Sequence, residues 1–134
     1  MKLAALLFAI ACAACPTAQG KADPPTHVKV PVELWVSGDD GLTQRLADAV
    51  RSELTSSGAF ALSPAGMRNS LKLTIPHNAG WRQINGRTQV SYDVRLERGG
   101  RGFKGRRGHC WESELVVCAK QVVRTASLSL AGVR

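Results

Sequence analysis

The sequence predicts a small α+β domain, in which a mostly antiparallel sheet carries two helices packed on one face. Several short segments alternate apolar and polar residues with a period of two, which is typical of half-buried strands. Two longer segments repeat their apolar residues at helical spacing. The predicted order is β-α-β-β-β-β-α, and a chain of 134 residues is long enough for one such domain with a modest core.

The first strand and the first helix follow each other directly. Val28–Val36 places its valines and Leu34 on one side, which predicts a strand with one buried face. Asp39–Asp40 then offers carboxylates to the N-terminus of an amphipathic helix that starts near Leu42. Gly58 is predicted to end this helix in the left-handed conformation that glycine adopts most readily.

The middle of the chain is predicted to form strands joined by tight turns. Asn85–Gly86 is the residue pair that type I′ hairpin turns prefer. A two-residue turn there pairs Ile84 with Arg87, and it therefore pairs Trp81 with Val90. This register predicts that Trp81 lies on the apolar face and packs in the core. The strands predicted after the first helix span residues 59–62, 71–75 with a continuation at 81–84, 87–97 and 101–109.

The last helix and the two later cysteines are predicted together. Apolar residues recur at helical spacing from Leu115 onward, so a helix is expected to begin at Glu112 or Ser113. Cys118 then falls on the buried face of this helix. Two cysteines in an exported domain most often form one disulfide, and we expect Cys110 and Cys118 to do so. Two thiols do not complete the four-ligand site of structural zinc, so neither a metal nor a cofactor is expected.

Residues 1–20 have the pattern of a secretory signal peptide. Lys2 supplies a positive start, and Leu3–Ala11 is an uninterrupted apolar run, too short to span a bilayer, that small residues follow. We therefore expect a periplasmic or secreted protein. Cys12 and Cys15 each follow an imperfect lipobox, so an outer-membrane lipoprotein tethered through one of them is the alternative. The predicted organisation is a signal peptide at 1–20, a linker at 21–27 and a single domain at 28–134.

The most unusual predicted surface is a glycine-rich basic hairpin at residues 95–107. The chain has a formal net charge of +8, and this segment concentrates cations around a single acidic residue, Glu97. Arginine binds phosphate and carboxylate groups in a bidentate manner, so the segment is a candidate site for an anionic partner. The alternative is a solvated loop that keeps an edge strand from aggregating. The candidate binding residues are Arg95, Arg98, Arg101, Lys104, Arg106 and Arg107.

Three segments match a known group of envelope domains. They are PVELWV at residues 31–36, LTQRLADAVRSELTSSGAFAL at 42–62 and ELVVCAKQVV at 114–123. With these segments in this order, the chain resembles the amino-terminal domain of TolB and the related envelope domains of the LpoB and CsgG kind. The resemblance implies an α+β fold and a role in binding other envelope proteins or peptidoglycan enzymes, without catalytic residues. The basic hairpin and the Cys110/Cys118 pair depart from that group.

No segment has the pattern of a catalytic or phosphate-loop site, since both GxSxG and GxxxxGK[ST] are absent from the sequence. We therefore predict a non-catalytic binding or adaptor domain, which contacts an anionic envelope component or an envelope protein through the basic hairpin. A secreted inhibitor or effector that acts on a foreign enzyme is the alternative. Nucleic acid is not expected as a partner, because the protein is predicted to be exported.

Overall fold

The computed structural model describes residues 27–132, together with Gly20 and Ala22, and the rest of the predicted signal peptide and linker lies outside these residues. A 3₁₀ turn at Glu112–Glu114 joins the last strand to the last helix. The elements in chain order are β1 (Val30–Val36), α1 (Gly41–Ser56), β2 (Phe60–Leu62), β3 (Leu71–Ile75), β4 (Gly80–Ile84), β5 (Arg87–Arg98), β6 (Arg101–Trp111) and α2 (Leu115–Ala131).

The strands form one mixed sheet in the order β2-β1-β3-β5-β4, with β6 paired to the other edge of β5. β1 is parallel to β2 and β3, whereas the three pairings that β5 makes are antiparallel. β3 and β4 occupy successive stretches of one edge of β5, at its residues 95–98 and 87–91. The predicted α+β class and element order are confirmed, and the interruption at Pro76 separates β3 from β4.

Both helices pack against the same face of the sheet, as predicted, and neither packs against the opposite face, which we call the open face. Because side chains alternate along a strand, the apolar residues of β3 and β5 point to the helices and the residues between them point to the open face. Fully buried residues of this core include Leu46, Val50 and Leu54 of α1, Leu71, Leu73 and Ile75 of β3, Val90 of β5, and Cys118 and Ala126 of α2.

The two ends of α1 are set by different means. At the start, the backbone N–H of Thr43 donates to Asp40 Oδ1 at 2.7 Å, so the predicted carboxylate cap is confirmed. At the other end, the prediction for Gly58 is wrong. The chain leaves the helix at Ser57 in an extended conformation, with φ −72° and ψ 135°, and Gly58 does not have a positive φ. The Ser57 N–H still donates to the Glu53 carbonyl at 3.0 Å, so the helix end needs no left-handed residue.

The prediction that Trp81 packs in the core is also wrong, although its register is confirmed. Trp81 lies opposite Val90, and the turn residues Asn85 and Gly86 have φ values of 50° and 75°. Val90 is completely buried, yet Trp81 is 66% exposed. β4 is an edge strand that packs mainly against β5 and little against α1 or α2, and the Trp81 ring is left largely in solvent.

Candidate anion-binding hairpin

The basic segment forms the turn half of a long hairpin made by β5 and β6. The pairing runs from Arg98 opposite Arg101 at the turn to Gln89 opposite Trp111 at the base. The turn residues Gly99–Gly100 have φ values of 58° and 76°, which glycine adopts without a side-chain penalty. We call residues 93–107 the turn half of this hairpin, and residues 87–92 with 108–111 its base half.

A β-bulge lies in the turn half. The register shifts by one residue between Val94 and Leu96, so Lys104–Gly105 on β6 together oppose the single residue Arg95. Gly105 puts no side chain on this surface, and a Cβ atom there would lie 3.3 Å from the Val94 carbonyl oxygen. The bulge therefore borders an open depression on the sheet, about 380 Å³ in volume, whose lining includes both Arg95 and Gly105.

The bulge also decides where the six predicted binding residues lie. Arg95 and Arg107 share the open face, because Arg107 lies opposite Asp93 and Arg95 is two residues further along β5. Lys104 lies beside them in the bulge. Arg106 is opposite Val94 and points to the helix side, where it lines a surface depression together with residues of α2.

Arg98 and Arg101 complete the set at the end of the hairpin, where they form the pair that closes the turn. Like charges in such a directly opposed pair destabilise a sheet. The six cations are thus divided among three places, which are the open face, the helix side and the turn. Among residues 27–132, Arg107 is the one member of the set that forms an ion pair.

Asp93 contacts both Arg107 and His77, and the sequence did not indicate the contact with His77. Asp93 Oδ1 accepts a hydrogen bond from Arg107 Nε at 2.9 Å, and Asp93 Oδ2 lies 2.9 Å from His77 Nε2. The hydrogen bond from Arg107 is the main reason that the pKa of Asp93 lies below its usual value. No sequence pattern around His77 indicates this contact, so the three-residue cluster was not predicted.

A second carboxylate on the open face, that of Glu33 in β1, has a structural role and is not part of the candidate binding site. Its side chain accepts hydrogen bonds from the Ser70 hydroxyl, from Trp35 Nε1 at 3.2 Å and from the Met67 backbone N–H at 3.1 Å. These hydrogen bonds, with that from Ser70 first, lower the pKa of Glu33. Glu33 is 6% exposed, so it fixes the 67–70 loop rather than presenting charge to a ligand.

The base half of the hairpin is tied to α2. Cys110 and Cys118, the two cysteines predicted to pair, form a disulfide with a Cα–Cα distance of 5.5 Å. The Tyr92 hydroxyl donates a hydrogen bond to the Gln121 side chain at 3.0 Å and lies 3.3 Å from the Cys118 carbonyl oxygen. Burial raises the pKa of Tyr92 to about 12. These contacts make the base half the attachment point between sheet and helix.

Two chemical features are absent from residues 27–132. No helix there is both long enough and apolar enough to cross a bilayer. That part of the chain also has no group of three or more His, Cys, Asp or Glu side chains placed to hold a metal ion.

Comparison with known proteins finds a solved structure with a similar fold but assigns no family to the chain. No protein-family model and no curated protein matches the chain. Among solved structures, a minor lipoprotein from Acinetobacter baumannii is 14% identical with a TM-score of 0.57, over 76% of this chain and 93% of that one. At this identity the similarity shows a shared fold alone.

Two further solved structures are less similar. PelC from Paraburkholderia phytofirmans, solved as a dodecamer, is 13% identical with a TM-score of 0.43, over 72% of this chain and 83% of that one. The lipoprotein GNA1162 from Neisseria meningitidis is 11% identical with a TM-score of 0.38, over 78% and 99%. These lower scores do not establish a shared fold, and the resemblance to TolB, LpoB and CsgG stays a prediction.

Proposed function

We propose that this protein is an exported, envelope-associated binding domain without catalytic activity, and that the turn half of its hairpin binds an anionic partner. The pattern of residues 1–20 supports export. The fold shared with a protein described as a lipoprotein supports an envelope location. The adaptor role is inferred by analogy of fold alone. It therefore depends on which partner the hairpin binds.

The observation that carries the proposal is the unbalanced charge of the turn half. Five of its six cations form no ion pair with any residue in the described part of the chain. Arg98 and Arg101 even lie directly opposite each other, which costs the sheet stability. These unpaired cations do not stabilise the folded state, whereas an anionic partner would offset the repulsion between them.

Protection of an edge strand explains the charges less well. β6 is an edge strand, and charged side chains on an edge hinder aggregation. Either sign of charge serves that purpose, as does a mixture of the two. A hairpin whose turn half carries six cations against Asp93 and Glu97 is better matched to an anion than to general protection.

The test is partner capture by charge-reversal variants of the full chain. In one variant Arg101, Lys104 and Arg106 are changed to Glu, which leaves the Arg107–Asp93 pair intact. The matched control carries the same charge change at Lys29, Arg68 and Lys120, which lie outside the hairpin and form no ion pair in the described residues. Partners are cross-linked in an isolated envelope fraction and quantified by mass spectrometry.

We expect the hairpin variant to lose capture by about tenfold or more, because electrostatic complementarity controls association. The control should stay within about twofold of the wild type. Urea denaturation of both variants ensures that the comparison is made between folded proteins. Equal loss in both variants, or full capture by the hairpin variant, would show that the hairpin is not the binding surface.

A further inference from the structure

Asp93 lies at the centre of the cation cluster on the open face, and both of its carboxylate oxygens are occupied. Oδ1 accepts from Arg107 Nε and Oδ2 contacts His77 Nε2, each at 2.9 Å. The Asp93 side chain is 28% exposed, whereas Arg107 is 78% and His77 57% exposed. The Asp93 carboxylate is thus less exposed than the two side chains that contact it.

This arrangement leaves the ligand-binding end of Arg107 available. Arg107 uses Nε to contact Asp93, and its two Nη groups make no hydrogen bond within the described residues. Arg95 lies on the same face two residues from Asp93, across from the bulge. The depression between the two arginines is also lined by His77 and by Gly105, where no side chain blocks the approach of a ligand to the backbone.

We propose that this depression is an oxyanion site for a phosphate group, in which Asp93 positions Arg107 and His77 and in which Arg95 and Arg107 bind the ligand. The inference rests on the proposed function, because it names the ligand chemistry of the same hairpin. A phosphate group can be carried by a lipid headgroup or be a free ion, and the site recognises the chemistry that these sources share.

The charge and shape of the site favour phosphate. Arg95 and Arg107 provide two guanidinium groups against the single carboxylate of Asp93 in the lining of the depression, which suits an anionic ligand. The planar guanidinium group pairs two N–H donors with two oxygens of one phosphate. The depression is open and borders exposed cations, so it admits a compact polar group at the end of a larger molecule.

Replacement of Asp93 distinguishes a site whose side chains are oriented by Asp93 from a surface that binds phosphate by its charge alone. Asp93→Asn raises the net charge by one, so a surface that acts by charge alone would bind phosphate more tightly. A positioned site would bind more weakly, because Arg107 and His77 lose the carboxylate that orients them. Glu97→Gln is the matched control, since Glu97 lies on the same strand and the same face and forms no ion pair in the described residues.

The experiment is an NMR titration of the full chain with inorganic phosphate at constant ionic strength. We expect Asp93→Asn to weaken binding by about tenfold, as loss of a charge-assisted contact does, and Glu97→Gln to leave it unchanged or tighter. If both variants change binding equally, the proposal is overturned. The dispersion of the amide spectrum shows whether each variant is folded.

A second pair of variants keeps the test decisive if Asp93→Asn does not fold. Arg107→Lys retains the charge but removes the guanidinium fork, and Arg101→Lys makes the same exchange at the turn. Weaker binding in Arg107→Lys alone supports the site, and equal effects in both variants contradict it. Wild-type protein that shows no saturable phosphate binding overturns the proposal outright.

Vesicles distinguish the two sources of phosphate. Co-sedimentation is measured with phosphatidylcholine vesicles that contain or lack phosphatidic acid. Binding that requires phosphatidic acid and is lost in Asp93→Asn supports the site with a lipid headgroup as ligand, and binding of inorganic phosphate without vesicle binding supports it with a soluble ligand. If Asp93→Asn and Glu97→Gln behave alike while the hairpin reversal still abolishes capture, this inference fails and the proposed function stands.

Discussion

The two halves of the β5–β6 hairpin share the same strands but have different neighbours. The base half is bonded to α2 through Cys110 and Cys118, and Tyr92 hydrogen-bonds to that helix as well. The turn half contacts the core through side chains such as Leu96 and Phe103, and most of its charged side chains remain in solvent. One pair of strands therefore carries the attachment of the sheet to its helix at one end and a free charged surface at the other.

Glycines in β6 show the same contrast. A Cβ atom on Gly108 would lie 2.3 Å from the Tyr92 hydroxyl oxygen and 2.4 Å from its Cζ atom, so packing requires glycine at this position of the base half. A Cβ atom on Gly102 would have no neighbour within 4 Å. The same residue type is thus fixed by packing in the base half and free of packing constraints in the turn half.

The largest expected effect comes from these glycines. Gly108→Ala forces the Tyr92 ring out of place and should lower the free energy of unfolding by about 3 kcal/mol, as overpacking does. Gly102→Ala should leave it unchanged or raise it by up to about 1 kcal/mol, because alanine is less costly than glycine in a strand. Urea denaturation measures both. Similar losses in the two variants would contradict the division of the hairpin.

Removal of the disulfide should have the next largest effect. Cys110 and Cys118 are separated by 8 residues, and a closed loop of this length stabilises a fold by about 2.5 kcal/mol. The double variant with alanine at both positions should lose this amount, while its affinity for inorganic phosphate stays at the wild-type value. Reduction of the wild type should lower stability similarly, and a large loss of phosphate affinity would show that the two halves are coupled.

The Tyr92 hydroxyl should contribute less than the disulfide. Tyr92→Phe removes the hydrogen bonds to α2 and keeps the ring, so the free energy of unfolding should fall by about 1 kcal/mol. The dependence of this free energy on urea concentration should not change, since the buried area is nearly the same. If the free energy of unfolding does not fall, water takes the place of the Tyr92 hydroxyl as hydrogen-bond partner of α2, and the hydroxyl does not stabilise the fold.

The smallest effect concerns the turn half and depends on pH. Since the folded state lowers the pKa of Asp93, the ionised carboxylate stabilises the fold. This contribution is complete above the unfolded value of about 3.9 and is lost as the pH falls through the lower folded value. It should stay below about 1 kcal/mol, because the ion pair is exposed to solvent.

Urea denaturation across the acidic range measures that contribution. Asp93→Asn should make the stability less dependent on pH in this range, whereas Glu97→Gln, at a position without an ion pair in residues 27–132, should retain the wild-type dependence. An equal change in both variants would mean that net charge, and not the contact with Arg107, determines the acid response.

Local sequence patterns predicted much of the fold. The alternation in β1 and β5, the carboxylate cap at Asp40 and the register set by Asn85–Gly86 all depend on near neighbours in the chain. The exposure of Trp81 could not be predicted this way. Which strand lies at an edge is decided by pairing between distant segments, and the alternation within β4 is the same in either case.

Arg95 and Arg107 were among the predicted binding residues, but their arrangement around Asp93 could not be predicted because of the bulge. A regular hairpin closed by Gly99–Gly100 would place Arg106 opposite Asp93. The extra residue in the bulge shifts the register so that Arg107 takes this place and Arg106 turns to the helix side. Glycine inside a strand often marks a bulge, but β6 contains Gly102, Gly105 and Gly108, so the sequence did not show that the bulge lies at Gly105. The contact with His77 depends on the loop before β4, and no local pattern indicated it.

Chemical-shift mapping of the wild-type protein during a titration with inorganic phosphate tests the division of the hairpin most directly. We expect the largest amide shifts to cluster in the turn half, at residues 93–95 and 105–107, and at His77. The base half and α2 should shift little, because the disulfide and Tyr92 hold them in place. If the largest shifts lie in the base half or on α2, or if no shift saturates, the turn half is not the phosphate-binding part of the hairpin.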